Sequence, residues 1–220
     1  HIRETDAICE VVRCFEDSNI THVDGKIDPI RDIETINLEL IFADIETINK
    51  RIDKAKKMLK ADKKYQAEID LLEKIKQNLE NGISARTLEY NDEENEILKD
   101  MFLLTMKPII YVANISEEQM NICEKDANVM KVKEYAEKER TEVVPLCVKI
   151  EEELSTLDDD DKKEMLEAMG LEESGLDKLI RKSYDLLGLM SFLTAGEPEV
   201  RAWTIKKGAK APQAAGKIHS

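Results

Sequence analysis

A short apolar run that stops at a polar corner is the feature that most constrains the fold of this chain. The run opens at Pro108 and ends at Asn114, and Glu117 follows three residues later. A continuous apolar stretch of this length predicts a covered central strand of a parallel sheet. Ligands of such sheets bind beyond the carboxyl ends of the strands. We therefore expect Asn114 and Glu117 to lie at a ligand-binding edge.

The residue types at this corner favour a purine ligand. P-loop GTPases carry Asn-Lys-x-Asp here, and the Asp carboxylate accepts two hydrogen bonds from guanine. Adenine presents a ring-nitrogen acceptor at that place, which repels a carboxylate. Glu117 is one methylene longer than Asp, and Ile115 replaces the Lys whose stem covers the base. We expect adenine to be preferred, with base contacts from the Asn114 side chain and the Ile115 backbone, and with Glu117 as a loop-organising acid.

The same residues also fit a purely structural role. Ser116 and Gln119 have the spacing of a capping box that opens a helix, with Asn114 as a turn residue. The four corner residues alone leave both interpretations open.

Long stretches of the chain resemble one protein family. The stretches are residues 13–17 (RCFED), 24–29 (DGKIDP), 104–117 (LTMKPIIYVANISE), 186–189 (LLGL), 194–196 (TAG), 199–204 (EVRAWT) and 211–219 (APQAAGKIH). They resemble the YchF family, also called Obg-like ATPases. The resemblance implies an α/β fold with a P-loop NTPase-type parallel sheet, an inserted helical domain and the start of a β-grasp TGS domain. It also implies ATP with Mg²⁺ as the ligand, ATP hydrolysis and a ribosomal partner.

The phosphate-binding loop of that family is missing from these residues. The loop needs G-x-x-x-x-G-K-[ST], because its backbone N–H groups cradle phosphate and its hydroxyl holds Mg²⁺. Gly25-Lys26 and Gly216-Lys217 lack both the earlier Gly and the hydroxyl residue. By resemblance, residues 1–6 follow the switch region, and residues 218–220 stop inside the TGS domain. We expect a fragment that is inactive alone, with no catalytic residue and no metal ligand, whose phosphate and Mg²⁺ ligands lie outside this chain.

Composition indicates a globular protein with no membrane partner. Hydrophobic residues make up 42% of the 220 residues, and no apolar stretch is long enough to cross a bilayer. Cys9, Cys14, Cys123 and Cys147 have neither disulfide-framework density nor zinc-ligand spacing, which predicts a reducing cytoplasm. Cys9 and Cys14 are expected to be buried and inert, although the family is described as redox-sensitive.

Charge is distributed unevenly along the chain, whose formal net charge is −14. The last twenty residues hold no acid and five bases, which are Arg201, Lys206, Lys207, Lys210 and Lys217. Beside Trp203 they suit ribosomal RNA, since phosphate contacts need no particular sequence and an aromatic ring can stack on a base. We expect no DNA sequence specificity. The alternative is a solvated loop whose lysines keep it soluble, with Trp203 in the core.

Two heptad-like seams predict a long helical hairpin. Asp28-Pro29 supplies an N-cap and a first-turn Pro. Apolar residues then recur in steps of four and three at positions 41–59 and again at 65–79, which predicts two antiparallel coiled-coil helices. The hairpin is either a partner-binding arm or a solvated element that packs only on itself.

The remaining segments complete an α/β pattern. A strand is expected at 7–15, helices at 91–98 and 121–140, and the next parallel strand at 143–148. By resemblance, the Cys147 and Val148 backbones line the base pocket. The acidic run 158–161 fits a helix start better than a metal site.

These expectations divide the chain into domains and leave two classes of function. Residues 1–40 and 95–188 are assigned to the NTPase domain, 41–94 to the inserted hairpin and 189–220 to the start of the TGS domain. The favoured function is part of a ribosome-associated ATPase that binds and hydrolyses ATP, and GTP less well. The alternatives are a non-catalytic helical adaptor and a GTPase of the related Obg group.

Overall fold

The computed structural model describes residues 2–17, 26–197 and 199–218. Asp24 and Gly25 of one motif therefore lie outside the described residues, as do His22 and His219. The chain divides into two compact units, His1–Pro145 and Leu146–Ser220.

A three-stranded sheet organises the first unit. Its strands are β1 (Ile8–Arg13), β2 (Ile109–Asn114) and β3 (Val143–Leu146), and β2 lies in the middle. Strands β1 and β2 run parallel, with Arg13 opposite Asn114. All residues of β2 before Asn114 are buried, so the predicted α/β fold with a covered parallel strand is confirmed.

Strand β1 is covered on only one face. Ile8, Glu10 and Val12 are buried, whereas Cys9 and Val11 between them are exposed. The prediction of a buried Cys9 was therefore wrong, while Cys14 is buried as expected. The reason is the two-residue period of a strand, which puts positions 9 and 14 on opposite faces.

Two long helices leave this layer between β1 and β2. Helix α1 (Pro29–Leu59) begins behind Asp28, whose carboxylate accepts the Arg31 backbone N–H, and α2 (Tyr65–Glu80) returns after the turn 60–64. Their facing sides form one core cluster that includes Ile41, Ile48, Ile52, Leu72, Ile75 and Leu79. Helix α1 continues without a break through residues 40 and 41, where the sequence analysis placed a domain boundary. We call residues 41–80 the arm.

Shorter helices precede and follow β2 in the sequence. Helix α3 (Asp92–Leu98) is capped by Asn91, and α4 (Ala127–Lys138) by Asp126. A single helix over 121–140 was expected, but residues Glu117–Lys125 form a 3-10 helix. The break falls at Asp126, because its carboxylate accepts the backbone N–H groups of Asn128 and Val129 and so starts a new helix.

The second unit is built from helices followed by a β-hairpin. Its helices are α5 (Val148–Ser155), α6 (Asp159–Ala168) and α7 (Gly175–Leu186), its strands are β4 (Leu189–Ala195) and β5 (Val200–Lys206), and the last helix is α8 (Ala211–Ile218). Strands β4 and β5 are antiparallel. Asp158 caps α6 through the backbone N–H groups of Asp160 and Asp161. No helix in the described part of the chain is both long and apolar enough to cross a membrane.

Candidate functional site

The polar corner lies at the carboxyl end of the central strand. Asn114 is the last residue of β2 and is half-buried, while Glu117 is exposed at the start of the following 3-10 helix. The Ile115 side chain between them is only 3% exposed. The carboxamide of Asn114 carries both a donor and an acceptor, which suits the edge of a purine.

Hydrogen bonds tie this corner to the end of the neighbouring strand. The Cys14 backbone N–H donates to the Asn114 carbonyl at 2.8 Å. Gln119 Nε2 donates to the Cys14 carbonyl at 3.2 Å and to Asp126 Oδ2 at 2.8 Å, and Asn128 Nδ2 donates to the same Cys14 carbonyl at 3.3 Å. The ends of β1 and β2 are therefore held as one rigid edge. The spacing of Gln119 predicted only a local capping role.

That capping role is present as well. The Ser116 backbone N–H donates to Gln119 Oε1 at 2.8 Å, so the Gln119 carboxamide serves both the helix start and the link to β1. The burial of Ile115 means that its side chain cannot cover a base as the Lys of Asn-Lys-x-Asp does. A contact from this residue must come from its backbone.

The two predicted backbone contacts, Cys147 and Val148, belong to the second unit. Cys147 is 3% exposed and its carbonyl accepts the Glu151 N–H, which makes it the N-cap of α5. Val148 is the first residue of that helix and is 43% exposed.

The basic residues of the tail are exposed around β5. The Arg201 guanidinium lies 4.2 Å from the centre of the Trp203 ring, and Lys207 Nζ pairs with Asp185 at 2.6 Å. Lys206 and Lys207 line a cavity of about 410 Å³, to which Lys217 also contributes. Lys210 is exposed just before α8.

Neither thiol near the sheet has the properties of a reactive cysteine. Burial, and then the Asp126 carboxylate, raise the pKa of Cys14 to about 12. Partial desolvation by the surrounding strand also raises the pKa of Cys9, although the residue is exposed on one side. Both groups are therefore protonated at neutral pH, whereas the thiolate is the reactive form.

A buried carboxylate that sequence reasoning missed connects the arm to the loop before β2. Asp44 of α1 is 0% exposed, and it accepts the backbone N–H of Leu104 at 2.9 Å and that of Thr105 at 2.7 Å. The Thr105 hydroxyl donates to it at 2.7 Å, and Arg3 pairs with it at 3.5 Å. This one side chain therefore contacts the N-terminal segment and the loop before β2 from the base of the arm.

A second missed cluster is buried between the sheet and the first part of α1, before the arm begins. Arg86 donates to Asn37 Oδ1 at 3.0 Å and lies 3.6 Å from Glu139, which accepts the Tyr111 hydroxyl at 2.8 Å. Glu10 Oε2 and Arg86 Nε have no hydrogen-bond partner among the described residues. Burial raises the pKa of Glu10 to about 7, with Arg86 lowering it and Glu139 raising it by smaller amounts.

The described residues contain no group of three or more His, Cys, Asp and Glu side chains that could hold a metal ion. A cavity of about 690 Å³ in the first unit lies away from the corner, beside Arg3, Phe102 and Lys107. What the corner offers chemically is hydrogen bonding, through the Asn114 carboxamide and the Glu117 carboxylate.

Comparison with known proteins gives consistent matches over the whole chain. It is 53% identical over 221 residues to "Ribosome-binding ATPase YchF" of Bacillus subtilis (strain 168) and covers 60% of that protein. It is 42% identical over 228 residues to "Obg-like ATPase 1" of Saccharomyces cerevisiae and covers 57% of that protein. In both cases all of this chain is matched. The chain thus spans about three fifths of the length of these relatives.

A family model and a solved structure agree with these relatives. The model YchF-GTPase_C, described as a protein of unknown function (DUF933), matches residues 189–220. The structure of the Schizosaccharomyces pombe YchF GTPase superposes with a TM-score of 0.83 at 36% identity. That match covers 99% of this chain and 59% of the other.

Proposed function

Because this chain belongs to the YchF/Obg-like ATPase family, we propose that it forms the base-recognition part of a ribosome-associated ATPase that binds and hydrolyses ATP, and GTP less well. The observation that carries the proposal is the Asn114 corner at the end of a buried parallel strand, locked to the end of β1 through Cys14. Ligands of open parallel sheets bind at this edge.

Each corner residue has a separate role in the proposal. The Asn114 side chain and the Ile115 backbone bind the purine, and Glu117 organises the loop. Backbone contacts from Cys147 and Val148 are a part of the proposal that rests on the family resemblance alone. Mg²⁺ and the residues that bind the phosphates are supplied from outside this chain, so the fragment alone is inactive. When bound, Mg²⁺ neutralises the phosphate charge.

The domain assignment belongs to the same proposal. Residues 1–40 and 95–188 form part of the NTPase domain, residues 41–94 the inserted hairpin, and residues 189–220 the start of a TGS domain. A ribosomal partner places the protein in the cytoplasm.

The tail is proposed to contact ribosomal RNA through Arg201, Lys206, Lys207 and Lys210. Support comes from their exposure and from the absence of acids after position 200. Contacts to phosphate position a protein without reading the base sequence, so no DNA sequence specificity is expected.

Replacing Glu117 by Asp should shift base preference toward guanine. The shorter side chain returns the carboxylate to the position from which it accepts two guanine hydrogen bonds. We expect the ratio of ATP to GTP affinity to fall about tenfold, within the 1–3 kcal/mol that a bidentate base contact contributes. The measurement is competition binding by a chimera in which this chain replaces the matching part of the Bacillus subtilis relative.

The neighbouring exposed residue supplies a matched control. Glu118→Asp makes the same chemical change one position further along and should leave the ratio unchanged. An unchanged ratio in Glu117→Asp would contradict the role of this carboxylate. A GTP preference in the unsubstituted chimera would favour the alternative function of a GTPase, which is how the Schizosaccharomyces pombe protein is named.

A further inference from the structure

The tip of the arm is strongly basic, although the chain as a whole is acidic. We call residues 50–64 the tip. They hold eight basic residues and two acids, although the formal net charge of the chain is −14. The basic residues are Lys50, Arg51, Lys54, Lys56, Lys57, Lys60, Lys63 and Lys64. Like the basic tail, the tip therefore attracts anions that the acidic remainder of the chain repels.

Half of these cations are committed to carboxylates of the chain itself. Lys50 pairs with Glu46, Arg51 with Glu68, Lys56 with Glu73 and Lys64 with Asp62. The other four have no carboxylate partner among the described residues, and all four are exposed. These four are Lys54, Lys57, Lys60 and Lys63. Their charges are available to an external partner.

Helix stability does not account for this arrangement. Lysines in the last turn of α1 complement the helix dipole, which explains Lys56 and Lys57. Lys54, Lys57 and Lys60, however, follow one another at i, i+3 spacing, and like charges at that spacing destabilise a helix. A helix that served only its own stability would alternate the signs of its charges.

The tip is also rigidly placed and far from the sheet. Ile52 and Ala55 on the opposite side of the helix are buried against the arm's own core. Residue 57 lies roughly 40 Å along α1 from its first residue at 1.5 Å per residue. Lys54, Lys57 and the C-cap Lys60 follow one another about 5 Å apart along the axis, and Lys63 lies in the turn after α1. The arm thus presents a row of cations at the end of a long, supported helix.

Apolar side chains lie among these cations. Met58 is 43% exposed, and Lys64 Nζ lies 5.4 Å from the centre of the half-buried Tyr65 ring. Aromatic rings beside lysines suit RNA, because a ring can stack on an unpaired base while lysines contact phosphates.

We propose that the tip of the arm binds the phosphate backbone of RNA through Lys54, Lys57, Lys60 and Lys63. This inference deepens the ribosome-binding part of the proposed function and rests on it only for the identity of the RNA. An RNA is favoured over an acidic protein because the available cations are lysines with flexible stems, and because an aromatic ring, that of Tyr65, directly follows the tip. Arg51 is the arginine of the tip and could bind a carboxylate through two hydrogen bonds, but it is already paired with Glu68.

The test is the salt dependence of RNA binding by the 220-residue chain. Anisotropy of a fluorescein-labelled RNA hairpin is measured over a range of KCl concentrations for wild type and for Lys54/Lys57/Lys60/Lys63→Gln. The slope of log K against log[KCl] should become shallower by about 3, because each phosphate contact contributes 0.7–0.9 to the slope. Gln has nearly the helix propensity of Lys, and an unchanged circular dichroism spectrum checks that α1 is retained.

Two further variants make the result specific. Lys125/Lys131/Lys138/Lys163→Gln removes the same charge from four exposed lysines away from the tip and should leave the slope unchanged. Lys206/Lys207/Lys210→Gln tests the tail of the proposed function separately. A slope that falls in the tail variant but not in the tip variant would overturn the arm inference and leave the proposed RNA contact of the tail standing.

Competition with polyglutamate tests whether the tip binds an acidic protein instead of RNA. Polyglutamate should displace the RNA from wild type only weakly. Binding of polyglutamate that is lost in the tip variant, with an unchanged RNA slope, would show a docking site for an acidic protein and would overturn the RNA assignment. Equal slopes in the tip variant and in the matched control would overturn it as well.

Discussion

Replacing Asp44 by Ala should lower the free energy of unfolding by about 3–5 kcal/mol, because three buried donors lose their acceptor at a cost of about 1–3 kcal/mol each. The carboxylate is 0% exposed and accepts three hydrogen bonds from Leu104 and Thr105. Its removal leaves two backbone N–H groups and a hydroxyl unpaired, and it releases Arg3. Buried donors without partners are costly because water does not replace the lost bond. Urea unfolding followed by circular dichroism measures the change.

An exposed residue on the same helix provides the comparison. Asp53→Ala makes the identical substitution on the solvent side of α1, and we expect a change within about 0.5 kcal/mol. A loss of less than about 1 kcal/mol in Asp44→Ala would mean that the loop before β2 does not depend on this carboxylate.

Replacing Glu10 by Gln should stabilise the protein at alkaline pH. The pKa of Glu10 rises from its usual value of 4.5 to about 7 in the fold, chiefly because the carboxyl is buried. Between these two pH values the folded state binds more protons than the unfolded state, so stability falls as pH rises through this window and is constant above it. Gln does not ionise, so the variant does not lose stability at this position as the pH rises.

The expected advantage of the Gln variant grows by about 2 kcal/mol between pH 5 and pH 8, from the 1.36 kcal/mol that one pKa unit represents. The measurement is the free energy of unfolding of both proteins at several pH values. Glu39→Gln, an exposed change on α1, should give a difference that does not vary with pH. A pH-independent difference for Glu10→Gln would show that Arg86 fully compensates the Glu10 charge in the fold.

The elements that follow local rules could be predicted from the sequence. The apolar run before Asn114 gave the buried strand, and Asp28-Pro29 marked the start of α1. Both signals depend on neighbouring residues alone. The break at Asp126 was missed because a 3-10 helix and an α-helix share nearly the same residue preferences, and only the cap separates them.

The contacts that hold the candidate site together could not be predicted in the same way. Gln119 reaches Cys14 across more than a hundred positions, and Asp44 reaches Thr105 across about sixty. Sequence periodicity indicates which face of an element is buried, but not which polar partner it meets there. Glu10 is buried near Arg86 and Glu139, which are far from it in sequence, so the strand pattern alone does not show what it meets.

The position of the adenine ring tests the account most directly. A crystal structure of the Bacillus subtilis chimera with Mg²⁺ and ATP should show the ring against the Asn114 carboxamide and the Ile115 backbone, at the carboxyl end of β2. ATP bound with its base elsewhere, while protein side chains fill the space beside Asn114, would contradict the account.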